Sequence, residues 1–463
     1  MSKFRAFIVV LLMAVISFSC EKQKPLSTPH KKEIDNYINR IVKRHEIPGL
    51  ALAIIKDGKV IYKSFLGNAN IEKNEAVTEN TLFRLHSLSK IFASTAIFQL
   101  VENGKLTLED KVTQYVDGLP HTWKLVKIKH LLTHSSGLPD IKYYNDLGEK
   151  EAKNKVFKDD IKFKLGEQFD YNQTNYWLIN RIIRKVTGED FENYVLNNQF
   201  KPSINTALFS DKKIGVILNE ITEYRPDGEG GLIIDNKWMV PPYMFGAGGL
   251  TITLDEFINW NQKLDKGSLV SEEIKAKMWA PFLFEKEFPF AHGWGLYPVN
   301  NRSSYGFTGG GIVGYRKFTE DDLTVILLTN GFKFPFSRDA VIDYVAGIVD
   351  QDLFSNKNLL KETLYDSFNG KANKKAINDF YSHKQSNPDV NFESVLNSLG
   401  YEFLRRDQHE TALAIFKLNV EENPDSWNVH DSLGEGYEVS GDTLSAIHHY
   451  KKSVELNGEN RHG

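Results

Sequence analysis

Apolar residues at Ile34, Tyr37, Ile38, Ile41 and Val42 recur every three to four positions, and that spacing predicts an amphipathic helix over residues 31–44. Two apolar runs, 50–55 and 60–62, flank the polar stretch Lys56-Asp57-Gly58-Lys59. An Asp-Gly pair between such runs predicts a β-hairpin. Helical patterns dominate from residue 87 to about residue 187. Strand patterns return at 293–298, 304–307, 314–318 and 323–329, and residues 340–349 read as a closing helix. Strands drawn from both ends of a segment, with a helical insertion between them, predict an α+β layered architecture.

Beyond residue 353 the pattern is helical throughout. Leu399-Gly400-Tyr401 recurs as Leu433-Gly434 with Tyr437 nearby. Ala412 recurs as Ala446, Phe416 as Tyr450, and Asn423-Pro424 as Asn457-Gly458, always at an offset of 34 residues. That offset and the small–Gly–large pattern resemble tetratricopeptide repeats, and the resemblance implies a groove for a protein or peptide partner. The alternative is two unrelated amphipathic helix pairs. Two repeats are fewer than the ~3 a free-standing solenoid usually needs. Residues 359–386 are also helix-like, fit either for an extra degenerate pair or for a linker.

The N-terminus carries Lys3 and Arg5, then an apolar run over 7–16, then Ser17-Phe18-Ser19 and Cys20. The run is short of the ~20 residues that span a bilayer, so it reads as a secretory signal, 1–19. Small residues before a lone cysteine resemble a bacterial lipobox. The resemblance implies acylation of Cys20, a membrane anchor, and residence in the bacterial cell envelope, at the periplasm or outer membrane. A soluble exported protein cut nearby, or an uncleaved anchor, are the alternatives. Several acyl chains at ~0.8 kcal/mol per buried CH₂ anchor firmly. Polar, proline-containing residues 20–31 suit a tether. With a single cysteine there is no internal disulfide.

Overall composition narrows the rest. The 463 residues allow two or three domains. With 57 basic and 60 acidic residues the net charge is −3, which argues against a nucleic-acid binder. Thirty Phe and 19 Tyr suit large cores or a groove for an extended substrate.

Ser87 and Lys90 supply the candidate chemistry. At i and i+3 on a starting helix they are neighbours, and a lysine there can take the serine proton and leave an acyl-transfer nucleophile. S-x-x-K alone is a weak signal, because Ser and Lys are common. Its weight comes from Lys129-His130-Leu131-Leu132-Thr133-His134-Ser135-Ser136-Gly137-Leu138-Pro139. That stretch closely resembles the H-L-L-x-H-x-S-G-L-P segment of class C β-lactamase-like, penicillin-binding-protein-like serine hydrolases, and the resemblance extends over residues 34–349. It implies an antiparallel sheet flanked by helices, with a helical subdomain. It also implies that His130 and His134 are structural; no third ligand or HExxH glutamate accompanies them, and neither metal nor cofactor is expected.

Further motifs follow the same family. Tyr171 matches the tyrosine of its Y-x-N element, implied to be a general base supported by the Lys90 cation, since a phenol of pKa ~10 needs one. The family asparagine falls at Gln173, a substrate-binding candidate, with Asn175 as another amide nearby. Ala247-Gly248-Gly249-Leu250 resembles a turn leading into a helix over 254–264. Phe290-Ala291-His292-Gly293-Trp294-Gly295-Leu296 resembles the strand before the last motif, with His292 at the strand entry. In that last motif a lysine or histidine is replaced by Phe307, while Thr308 and Gly309 survive as substrate contacts. The backbone N–H groups of Ser87 and Gly310 are the implied oxyanion hole, and one such donor can be worth ~3 kcal/mol in the transition state.

The expected layout is therefore a signal at 1–19, a lipidated tether at 20–31, a hydrolase domain at 32–352, a helical linker at 353–390 and repeats at 391–460. The expected function is hydrolysis of a small-molecule or peptide acyl substrate, an ester or amide, through an acyl-enzyme. Phe307 removes the cation that would hold a substrate carboxylate, so poor β-lactamase activity is expected. The competing reading is a degenerate hydrolase fold kept as a scaffold for the repeats. Retention of Ser87, Lys90 and Tyr171 together argues against it.

Overall fold

The computed structural model describes residues 27–200, 206–210, 217–235, 240–369 and 374–460. The expected leader, the lipidation candidate Cys20 and most of the tether lie outside them. Among the described residues no helix is long and apolar enough to cross a membrane.

The chain opens with helix α1 (Thr28–His45) and a hairpin, β1 (Gly49–Lys56) and β2 (Lys59–Asn70). Asp57 and Gly58 carry φ of 50° and 70°, the left-handed pair that a two-residue turn between twisted strands requires. A short strand β3 (Glu75–Ala76) extends the hairpin. Four more strands come from far along the chain: β4 (Gly295–Leu296), β5 (Ser304–Gly309), β6 (Val313–Phe318) and β7 (Leu323–Thr329). The sheet order is β3-β2-β1-β7-β6-β5-β4, and β1 pairs antiparallel with β7 from Leu50↔Thr329 to Lys56↔Leu323.

Both faces of this sheet are covered, and β1 shows how. Ala51, Ala53 and Ile55 point into a large core shared with helix α2 (Lys90–Glu102). Leu50, Leu52 and Ile54 point the other way, against Ile34, Ile38 and Ile41 of α1 and Ile342 and Val345 of the closing helix, Arg338–Val349. Period-2 alternation thus serves two cores at once. Each fully buried aliphatic side chain contributes ~1.5–3 kcal/mol.

Three expectations about elements need correction. β2 runs to Asn70, well past the apolar run at 60–62, because outer-strand residues are half-exposed and break the apolar pattern. The stretch 87–187 is not helical throughout: helices Ile128–Leu132, Glu149–Val156 and α3 (Thr174–Thr187) are joined by turns and irregular chain. Leu250–Ile252 is a strand between the glycines and the helix Leu254–Asp265, and it is the middle of a small sheet with Phe83–Arg84 and Ala207–Phe209. That sheet fixes the segment leading into Ser87.

The C-terminal region is helical, with Asn356–Phe368, Lys374–Ser386, Phe392–Leu404, His409–Glu422, Trp427–Val439 and Thr443–Leu456. The first two share one apolar cluster with the helices that follow, through Leu364, Phe368 and Phe380 against Val395 and Leu399. Gly400 faces the Phe416 ring and Gly434 faces the Tyr450 ring; a Cβ at either glycine would lie 2.4 and 2.7 Å from ring carbons. This region is fastened to α1. Arg44 donates to both carboxylate oxygens of Glu362, at 3.0 and 2.8 Å, and lies 3.6 Å over the Tyr365 ring, which stacks on Phe403 at 4.9 Å. Arg406 donates to the Arg44 carbonyl at 3.2 Å.

Candidate active site

Ser87 lies in a single 3₁₀ turn, His86–Ser89, and Lys90 opens α2 one turn on. Lys90 is fully buried. Its Nζ donates to the Ala247 carbonyl at 2.6 Å and stands 3.4 Å from Ser87 Oγ. Tyr171 Oη donates to Ser87 Oγ at 2.6 Å. The Lys90 ammonium position lies 4.8 and 5.0 Å from the ring centres of Tyr171 and Tyr176.

Burial acts on both proton carriers, in opposite directions. It pushes the Lys90 amine well below its ordinary value, and the Asp140 carboxylate opposes this only in part. It pushes the Tyr171 phenol up to about 12, against the hydrogen bonds to Ser87 and Gln173. Burial thus disfavours both the ammonium form of Lys90 and the phenolate form of Tyr171. Burial therefore works against both halves of the expected pair, a tyrosine base and a lysine cation. Lys90 Nζ thus stands within reach of the Ser87 hydroxyl while anchored on the Ala247 carbonyl.

The histidine-rich stretch holds Tyr171 in place. His134 packs 4.7 Å from the Tyr171 ring, and its Nδ1 accepts the Asn172 N–H at 3.0 Å. The His134 carbonyl accepts the Asp170 N–H at 2.9 Å. Ser136 donates to Asn175 at 2.6 Å, and Thr174 donates to the Pro139 carbonyl at 2.6 Å. His130 Nδ1 accepts the Lys127 N–H at 3.1 Å. Both histidines thus use Nδ1 on backbone amides, and burial pushes His130 to about 4 and His134 well down, leaving them uncharged. His292 sits at the strand approach, its carbonyl accepting from Ser94 Oγ at 2.6 Å.

The loop carrying Gly310 is tied to the Ser87 turn. Gly310 has φ +57°, and a Cβ there would lie 2.6 Å from His86 Cδ2. A Cβ on Gly309 would lie 2.0 Å from the Leu85 carbonyl. His86 itself has φ +48°, and its Nε2 is 2.7 Å from Oε1 of the buried Glu223. Arg338 donates to the Gly311 carbonyl at 2.8 Å. No sequence motif marks Glu223 or Arg338 for these contacts; His86 had a signal in its adjacency to Ser87, and Ala247 in the Ala-Gly-Gly-Leu segment.

Ser87, Tyr171, Phe307, Thr308 and Gly310 meet in one cleft of about 500 Å³. Two expected substrate contacts fall elsewhere. Gln173 sits just before α3 with its amide directed at Tyr171, and Gly309 faces Leu85, so neither lines the cleft. The remaining wall is mostly apolar, with Phe169, Phe288, Phe290 and Leu296 beside Tyr297, and no charged side chain among the described residues lines it.

A family model described as Beta-lactamase matches residues 34–349. The chain belongs to the Beta-lactamase family. Among its relatives is the protein flp of Staphylococcus aureus, 29% identical over 187 residues, 38% of either chain. The chain thus spans about two fifths of the length of the curated relatives it matches first. An octameric penicillin-binding protein homologue from Pyrococcus abyssi superposes with a TM-score of 0.62 at 25% identity, over 73% of this chain and 81% of that one. The D-amino acid amidase of Ochrobactrum anthropi shares the fold, with a TM-score of 0.54 at 21% identity, over 65% and 91%. The Beta-lactamase match ends at Val349, so the C-terminal helices stand outside the matched segment.

Proposed function

We propose that this protein is an exported serine hydrolase of the class C β-lactamase-related type, working through an acyl-enzyme on an uncharged ester or amide. The observation that carries the reading is Ser87 Oγ, 2.6 Å from Tyr171 Oη and 3.4 Å from a buried Lys90 Nζ, at the floor of an uncharged cleft. Ser87 Oγ attacks the acyl carbon and its proton passes to Lys90 Nζ. The N–H groups of Ser87 and Gly310 take the developing oxyanion. Tyr171, already bonded to Oγ, relays that proton to the leaving alcohol or amine. Water returns along the same route and releases the acid.

Phe307 directs the choice of substrate. It supplies no charge for a carboxylate, so penicillins and D-Ala-terminated peptides lose their anchor. The test is labelling by a fluorophosphonate probe with Ser87→Ala as control, beside an ester, amide and D-peptide panel. Labelling of wild type alone is expected. Nitrocefin turnover at the rate of a dedicated β-lactamase would contradict the role given to Phe307, and absence of both labelling and ester cleavage would favour a scaffold.

The remaining assignments belong to the same proposal. Cys20 carries the lipid that holds the protein in the cell envelope; metabolic palmitate labelling lost in Cys20→Ala tests it. The helices over 391–460 are tetratricopeptide repeats that present a groove to a protein partner, a reading supported by the matched Gly400–Phe416 and Gly434–Tyr450 contacts.

A further inference from the structure

Rings line the cleft in sequence, starting beside the nucleophile. The Tyr171 and Phe307 centroids are 6.3 Å apart, Phe307 and Phe290 6.0 Å, Phe290 and Phe169 4.9 Å, and Phe169 and Phe288 4.1 Å. Exposure is lowest in the middle of this row and highest at its outer end, with Tyr171 and Phe169 half-buried. Phe290 and Phe307 are 4% and 8% exposed, whereas Phe288 is 43% exposed at the outer end. The row therefore leads from the Ser87–Tyr171 pair past two buried rings to an exposed outer end. Leu296 faces it from β4.

The mouth is fixed from outside. The Lys286 N–H donates to the Glu167 carbonyl at 2.8 Å, and the two side chains form an ion pair at 2.8 Å. This joins the segment bearing Phe288 to the segment bearing Phe169. The stacked pair is thus a preformed wall.

We infer that the cleft takes an extended, unbranched hydrocarbon acyl chain, and that Phe307, Phe290, Phe169 and Phe288 set its preferred length. This rests on the catalytic reading above and names the substrate class for it. The chemistry excludes the nearest competitors. A carboxylate-bearing acyl group meets no cation in the lining. A peptidyl group would bury amide N–H and C=O groups against phenyl rings, and unpaired buried polar groups are costly. A hydrocarbon chain has neither requirement. The products are a carboxylic acid and the alcohol of the cleaved ester, with one water consumed.

The test uses the purified full chain with p-nitrophenyl esters from acetate to decanoate. The expected kcat/KM rises about fourfold for each methylene fully buried and levels off once the mouth is passed. Phe288→Ala, a change at an exposed ring, lowers the octanoate-to-acetate ratio about tenfold. A flat series, or a hemisuccinate ester preferred over butyrate, overturns the inference while leaving a labelled Ser87 intact. A second measurement is independent of turnover. Ser87→Ala is titrated with methyl alkanoates of increasing length, and the affinity rises with length and falls in the Ser87→Ala/Phe288→Ala double variant. Length-dependent binding to Ser87→Ala, combined with a wild type that the fluorophosphonate never labels, would uphold the inference and overturn the catalytic reading; length-independent binding overturns the inference.

Discussion

Burial disfavours the charged form of Lys90, and two consequences can be measured. The first concerns activity. In the proposed mechanism only the uncharged amine accepts the Ser87 proton, so kcat/KM rises with pH through the lowered Lys90 value and then stays level until the Tyr171 phenol ionises at about 12. A profile that falls with rising pH near neutrality contradicts this assignment. The second concerns stability. The unfolded chain binds a proton at Lys90 up to pH ~10.4, whereas the folded chain releases it at a lower pH. Between those two values the unfolded state holds more protons, so stability rises with pH, by at most ~1.4 kcal/mol per unit. Lys90→Met therefore abolishes turnover, raises the urea midpoint at pH 7 and flattens its pH dependence. Ser87, Lys90 and Tyr171 were legible in the sequence because each sits in a short motif whose spacing survives in one dimension. Glu223 was not, because its partner His86 is 137 residues away and only the fold joins them. The electrical state of the pair was also hidden. Burial decides it, and burial is a property of everything packed around the site.

At the scale of elements, the turn after β5 carries the tightest constraint. Gly310 combines φ +57° with a His86 ring where a Cβ would stand. Gly310→Ala is expected to cost about 1–2 kcal/mol from the left-handed backbone alone and to lower kcat at least tenfold, because relief of the clash moves an oxyanion donor. A thermal melt and a kcat measurement on one preparation check both. The strands β1, β5, β6 and β7 and the helices at either end were readable from periodicity, since each buries a regular face. The three-stranded sheet through Leu250–Ile252 escaped notice because strands of two or three residues hold no period. The irregular chain between Leu132 and Thr174 escaped for a different reason. Its order comes from side-chain to backbone bonds, such as Thr174 to Pro139, which leave no hydrophobic signature.

At the scale of the whole molecule, the catalytic and helical parts meet through buried charge. Burial disfavours the Glu402 carboxylate, but Lys361, His45, Arg406 and Arg44 together hold its pKa below the ordinary range. Arg44→Ala leaves Glu362 and Glu402 without that partner, and loss of one member of a buried pair typically costs about 3–5 kcal/mol. A lowered melting temperature with small-ester hydrolysis retained is the expected result. Truncation after Pro388 removes Glu402 and Arg406, and it is expected to leave the same hydrolysis in a less stable protein. Loss of turnover in a folded truncation would contradict a division of labour between the two parts. The 34-residue repetition was visible in the sequence, whereas its attachment to α1 was not, since Arg44 lies 318 residues from Glu362. That attachment bears on delivery. A substrate-bearing partner gripped by a freely swinging arm would meet Ser87 at a concentration diluted over the whole sweep of the tether. With Arg44 bonded to Glu362 and lying over Tyr365, the helical region near this joint keeps one bearing to α1, so a ligand held there would meet the cleft at a concentration set by geometry instead of by diffusion.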